Sequence, residues 1–232
     1  MAKILYIETA SDLCSALLSE GKEVLIEKIC YEKQNHATKL PVFLKEIITF
    51  AFENQKKPQA VAVSAGPGSY TGLRIGVSSA KGICFGMNIP LISVDTMKLI
   101  AAEAKKYIAE NSEKNLICPM IDARRMEVFT ALYDFNLNKI TDTEAKIIDE
   151  KSFCDILENN KVFFCGNGAA KCKNIIKNQN AIFLENINPL SINMINDAEK
   201  KYENNEFEDT AYFEPFYVKE FVATVPKSIL KN

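Results

Sequence analysis

Residues 60–87 read AVAVSAGPGSYTGLRIGVSSAKGICFGM, and the fold turns on how that stretch is parsed. The opening AVAVSA is apolar almost throughout, which is the pattern of a strand buried on both faces. Gly66, Pro67 and Gly68 then break the run. From Gly72 to Met87 apolar and small residues recur at helical spacing. A buried strand passing through a tight turn into a helix is half of an α/β unit, so helices are expected to cover a largely buried sheet.

Reading outward from there, residues 3–9 (KILYIET), 13–19 and 23–31 are predicted strands, the last two joined by the turn Glu20–Gly21–Lys22. A helix is expected over 38–54, where Leu40, Phe43, Leu44, Ile47, Ile48 and Ala51 share a face. Downstream come a strand at 90–94 and a helix at 96–110, with Asp95 placed to cap it. The second half repeats the order: strands at 116–122, 126–134 and 139–148, a helix at 151–160, a strand at 162–165 and a helix at 168–178. The arrangement βββαβα thus occurs twice with different residues, a repeat of architecture and not of sequence. Two such lobes, 1–110 and 111–223, describe the actin-like architecture shared by sugar kinases and heat-shock-70 ATPases. A helix over 191–204 and an acidic loop at 203–209 follow. The segment 212–222 (YFEPFYVKEFV) is too aromatic to leave the body of the protein, and 224–232 is expected to fray.

Composition narrows the function. Of 232 residues 47% are hydrophobic and 25% charged, which is ordinary for a water-soluble domain. A net charge of −2 speaks against a broad basic face, so any contact with nucleic acid is expected to be weak or supplied by a partner. Seven dispersed cysteines form no CxxC pair, and one histidine cannot complete a Cys/His zinc site. Reduced, buried thiols in a cytoplasmic protein are the expectation, with no cofactor and no metal. No stretch approaches the roughly 20 apolar residues of a membrane helix, and Met-Ala-Lys running straight into a strand is no signal peptide.

The loop Gly66, Gly68, Ser69, Thr71 and Gly72 admits two readings. A strand-to-helix loop can present N–H groups to a phosphate. Yet Gly72 is followed by Leu73 and not by Lys, and Thr71 stands where a dinucleotide fingerprint needs its third glycine. The alternative is a tight turn, with Ser69 or Thr71 capping the helix. Beyond the loop, Gly72, Gly76 and Ala80 recur every four residues, with Ser79, Ile83 and Gly86 near the same side. Glycine in a helix costs about 1 kcal/mol each, and close approach of another element is the usual compensation. That element belongs either to the same lobe or to a partner. Gly72, Gly76, Ala80 and Ile83 are therefore candidate interface residues.

The stretch SAGPGSYTGLRIGVSSAKGI, with IETAS at 7–11, NHATKL at 35–40 and IDARRMEVFTALY at 121–133, closely resembles the TsaB (YeaZ) family of threonylcarbamoyladenosine biosynthesis. The likeness covers the first 135 residues. Near the end only Pro215, Tyr217 and Lys219 echo a family Pro-x-Tyr-Leu-Arg signature, with Val218 and Lys219 as departures. The resemblance implies an actin-like fold and a heterodimer with the catalytic paralogue TsaD, joined by the ATPase TsaE. It also implies action on N6 of adenosine 37 in tRNAs that read ANN codons, with tRNA met through the complex. A homodimer in the partner's absence is compatible with it.

Actin-fold phosphotransferases grip phosphates in two hairpin turns built on glycine. Here the first, Glu8–Thr9–Ala10–Ser11–Asp12–Leu13–Cys14, and the second, Ile121–Asp122–Ala123–Arg124–Arg125–Met126, have none. Asp12, Asp122, Gly166 and Gly168 are therefore expected to mark a vestigial nucleotide cleft, and the chain to be a non-catalytic subunit. The alternative is an active small-molecule kinase or ATPase of the same fold. The paralogue's His-x-x-x-His metal pair is reduced to His36 with Leu40 in the second place, which leaves a metallopeptidase reading without a site. His36 is expected at a helix start, on the surface or at an interface.

Overall fold

The computed structural model describes residues 1–32, 35–109 and 114–219. Strands β1 (Lys3–Glu8), β2 (Cys14–Glu20), β3 (Glu23–Cys30), β4 (Ala60–Gly66) and β5 (Leu91–Asp95) form one sheet in the order β3-β2-β1-β4-β5. β1 pairs antiparallel with β2 and parallel with β4. The second sheet takes β6 (Asn115–Asp122), β7 (Glu127–Thr130), β8 (Glu144–Ile147), β9 (Lys161–Cys165) and β10 (Ala181–Phe183) in the order β8-β7-β6-β9-β10. β6 is likewise antiparallel to β7 and parallel to β9. Strand for strand the second sheet repeats the first, and this duplication is the expected actin-like α/β fold.

Alternation along β1 explains its continuous apolar run. Leu5 and Ile7 point to one face, packed with α1 (His36–Glu53) and α2 (Tyr70–Met87). Ile4 and Tyr6 point to the other, where Leu99, Met194, Ile195 and Ala198 cover them. The helix α3 (Thr96–Lys105) joins the lobes: its Met97, Ile100 and Ala104 pack with Ile117, Ile121 and Phe163 of the second sheet. Asp95 caps it as expected, accepting from Met97 N–H at 2.8 Å, and its other oxygen accepts from Lys139 Nζ at 2.7 Å and Tyr133 Oη at 3.2 Å across the lobes.

Three expectations need correction. The second-lobe helices shrink to single turns, α4 (Cys154–Leu157) and α5 (Ala169–Cys172), and β7 stops at Thr130. At α4 the start is set by Phe153, whose φ of +65° is left-handed and cannot continue a helix, and the N–H and Nδ2 of Asn160 both donate to Ile156 O at its end. The three-residue β10 was not foreseen, being too short to show a period.

The third correction concerns the lobes. Residues assigned by sequence to the second lobe return to the first. A 3₁₀ turn (Ser191–Met194) and α6 (Ile195–Glu203) close the face of β1, β4 and β5 that α1 and α2 leave open. The chain then runs along the lobe's edge, where Glu208 N–H donates to Leu91 O at 2.9 Å and Phe216 N–H to Ala65 O at 2.7 Å. Lys81 Nζ donates to the carbonyls of Ala211 and Phe213 at 3.0 and 3.1 Å. The expected lobe boundary at 110/111 and the frayed segment 224–232 lie outside the described residues.

Candidate functional site

Where β1 ends, the chain places a carboxylate with no solvent. Glu8 is fully buried; one oxygen accepts from Ala10 N–H at 2.5 Å, and Oε2 has no partner. Thr9 Oγ1 and Ser64 Oγ, also buried, lack partners too. Burial pushes the Glu8 carboxyl up to about 7, opposed by the Ala10 N–H and the Ser64 hydroxyl beside it. The sequence points to Asp12 of the same turn, and the structure to Glu8. The available signal was a charged residue closing an otherwise apolar strand.

The glycine loop resolves in favour of the turn. Ser69 N–H donates to Ala10 O at 2.7 Å, Gly66 N–H to Thr96 Oγ1 at 3.1 Å, and Gly72 N–H to Ser69 Oγ at 3.2 Å. These three donors are committed inside the protein, as a tight turn requires. Its glycines serve close packing. A Cβ on Gly68 would sit 2.4 Å from Ala10 O and one on Gly72 2.1 Å from Thr9 O, while Gly66 has φ +101°. Ser69 is the cap; Thr71 is exposed.

The small stripe of α2 is internal. A Cβ on Gly76 would lie 2.2 Å from Thr9 Oγ1, Ala80 is fully buried, and Ile83 packs against the lobe's core. Gly72, Gly76, Ala80 and Ile83 therefore meet their own lobe, which corrects the interface assignment. On the opposite face a Cβ at Gly82 or Gly86 meets nothing within 4 Å, and Phe85 is 88% exposed.

The four vestigial-cleft residues do not converge. Asp12 and Gly166 line a cavity of about 580 Å³ between the lobes, with Asn167, Lys173 and Glu185. Asp122 lines a separate cavity of about 470 Å³ with Gly68, Ser69 and Thr71. Its carboxylate is held at 2.5 Å by Lys171 Nζ, which also donates to Arg125 O and Glu127 O. Lys171 thus fills the second hairpin turn from within. Gly166 (φ +93°) and Gly168 let the β9–α5 loop press on β6: their Cβ atoms would sit 2.5 Å from Met120 O and 2.9 Å from Ile121 C.

His36 is buried, not on the surface. Its Nε2 lies 2.8 Å from Ser11 O and 3.0 Å from Leu13 O. Two carbonyls only accept, so Nε2 carries the proton and pins the β1–β2 turn. Among the described residues no group of three His, Cys, Asp or Glu side chains is placed to hold a metal, and no helix is long and apolar enough to cross a membrane.

Two like lobes around a cleft make this a protein of the actin-like fold, and the family model "TsaD: tRNA N6-adenosine threonylcarbamoyltransferase" matches its residues 25–226. The chain is 32% identical over 132 residues to the tRNA threonylcarbamoyladenosine biosynthesis protein TsaB of Bacillus subtilis, a match spanning 57% of this chain and 55%, about half, of that protein's length. It is 30% identical over 191 residues to TsaB of Buchnera aphidicola subsp. Baizongia pistaciae, covering 79% of this chain and 82% of that one. YeaZ from Pseudomonas aeruginosa shares the fold, with TM-score 0.79 over 94% of this chain and all of that one, at 19% identity. The chain belongs to the TsaB (YeaZ) family.

Proposed function

We propose that this chain is a non-catalytic subunit in the biosynthesis of threonylcarbamoyladenosine in tRNA, working in the cytoplasm as the partner of TsaD, with TsaE as a third member. The relatives' names support the pathway. The observation that carries the subunit role is Lys171 seated in the second hairpin turn, pairing the one carboxylate, Asp122, that the turn offers to a metal–phosphate. In this reading the transfer to N6 of adenosine 37 is the partner's chemistry, and tRNA is reached through the complex.

The surface for that partner is the outer face of α2. Ser78, Gly82, Phe85 and Gly86 lie on one side, and Val42 and Phe52 of α1 add exposed apolar area. Gly82 and Gly86 each give up about 1 kcal/mol of helix propensity with nothing among the described residues in return. A like helix from a paralogue of the same fold would fill that space, and a second copy of this chain would do so when TsaD is absent. The test is a pull-down of TsaD by the tagged chain beside its Phe85→Asp variant, with melting curves for both. Retention by wild type and at least about tenfold loss in a variant that melts normally is the expected result. Equal retention moves the interface elsewhere. Magnesium-dependent ATP turnover by the chain alone, abolished by Glu8→Gln, would restore the kinase alternative.

A further inference from the structure

Two of the seven cysteines face each other across a strand pair. β2 and β3 run antiparallel with Cys14 directly opposite Cys30, the first residue of one strand against the last of the other. Opposed residues share a face of the sheet, and both side chains enter the core beneath α1 and α2. Opposite Cα atoms of an antiparallel pair stand about 4.5 or about 5.5 Å apart, according to the hydrogen bonding at that position. Both spacings fall in the window of about 4.4–6.8 Å that a disulfide spans. No other two cysteines are so placed. Across β6 and β9 Cys118 meets Phe164 and Cys165 meets Pro119, while Cys84, Cys154 and Cys172 lie on helices.

The two thiols differ in how an oxidant meets them. Cys14 is 1% exposed, and burial, with Cys30 and Glu8 beside it, pushes its thiol up to about 12. Cys30 is 7% exposed and ends its strand, and the next two residues, Tyr31 and Glu32, are exposed. Cys30 is thus the thiol at the edge of the core, and Cys14 the one behind it. The pair also adjoins a junction of the first lobe. Cys14 follows the turn whose Ser11 and Leu13 carbonyls meet His36 Nε2 of α1, and Thr9 of that turn fills the space over Gly72 and Gly76 of α2.

We propose that Cys14 and Cys30 are a reversible redox pair, oxidised by a small-molecule disulfide, whose bond locks the β1–β2 turn to β3. The Cys30 thiolate attacks one sulfur of the small disulfide, forming a mixed disulfide and expelling one thiolate. The Cys14 thiolate then attacks the Cys30 sulfur, which closes the protein bond and expels the second thiolate. The two protons given up by the cysteines end on the two released thiols. In balance, two cysteine thiols become one disulfide and one small disulfide becomes two thiols. A reducing compartment keeps the pair open, so the bond is a switch and not a staple. The proposal is independent of the partner-subunit reading.

The test incubates the reduced, folded chain with glutathione disulfide, blocks remaining thiols with N-ethylmaleimide and digests with trypsin without reduction. Cleavage after Lys22 and Lys28 puts Cys14 and Cys30 on separate peptides, so their bond appears as a joined peptide. Expected is that joined peptide at least about tenfold over any other cysteine pair, and its complete loss on adding dithiothreitol. In the urea-unfolded chain the preference should pass to Cys165 and Cys172, seven residues apart against sixteen, because the shorter loop closes more readily. The lock is read at Cys84, a bystander in the same core. Its alkylation should slow about tenfold or more in the oxidised wild type, and not in Cys30→Ala treated alike. Glutathione left on Cys30 without closure, another pair forming first in the folded chain, or the same pairing preference in urea overturns the proposal. So does Cys84 labelling that the bond leaves unchanged.

Discussion

Glu8 shows how one side chain links the turn chemistry to pH. Unfolded, a glutamate titrates near 4.5; folded, burial holds this one near 7, so the native state keeps a proton that the unfolded state gives up. Its contribution is therefore intact below about pH 4.5, declines as pH rises and is lost above about 7, a swing on the order of 3 kcal/mol. Protonated, its Oε2 can donate to the neighbouring Ser64 hydroxyl. Glu8→Gln keeps the shape and the acceptor for Ala10 N–H but carries no charge. Urea denaturation is expected to find the variant about as stable as wild type at pH 5 and more stable at pH 8. A gap between the two proteins that does not change with pH would remove Glu8 from this role. His36 acts on the same turn from the other side, its Nε2 lying within hydrogen-bond distance of the carbonyls of Ser11 and Leu13.

Helix α2 carries two glycine faces with opposite consequences. Gly76 lies against Thr9, a buried β-branched residue with no room to yield, whereas Gly82 faces open space. The same substitution should therefore change sign between them. Gly76→Ala is expected to lose about 1–3 kcal/mol and roughly 3–10 °C of melting temperature, while Gly82→Ala gains up to about 1 kcal/mol and about 2–4 °C. Thermal melts of the two isolated variants decide it; like signs would mean that the faces are not distinct. The period of small residues was legible in the sequence, and so was the need for something to compensate each glycine. Which side of the helix met the lobe was not, because Thr9 lies 67 residues upstream of Gly76 and only the register of β1 with β4 brings them together. Apolar strands such as β1, β4 and β6 could be read from composition because both their faces are covered. The one-turn helix α4 could not, since the left-handed backbone of Phe153 at its start is not recorded in a helical period. Asp12 drew attention as the acid of a phosphate-type turn, while Glu8, the buried one, hid inside a strand pattern.

At the scale of the whole molecule, chain order and lobe membership part company after residue 190. Met194 and Ala198 are fully buried against Ile4 and Tyr6 of β1 and Ile92 of β5, strands that precede them by about one to two hundred residues. The first lobe is therefore complete only when the segment after residue 190 returns, and its stability depends on that segment more than the second lobe's does. Six buried free cysteines report on the two lobes separately. Cys14, Cys30 and Cys84 lie in the core beneath α1 and α2, and Cys118, Cys165 and Cys172 in the cores about the second sheet; Cys154 is exposed. Burial raises the Cys14 and Cys118 thiols to about 12 and Cys84 to about 11, so each reacts only when its surroundings open. Met194→Ala removes a fully buried side chain at a typical cost of about 2–5 kcal/mol. Pulse alkylation read by mass spectrometry should show Cys154 labelled at once in both proteins. In the variant, Cys14, Cys30 and Cys84 are expected to label at least about tenfold faster, with Cys118, Cys165 and Cys172 little changed. Equal acceleration of all six would mean that the two lobes open as one cooperative unit. Acceleration confined to the second set would place residues 191–203 energetically with the lobe they follow in sequence, against the packing that Met194 makes.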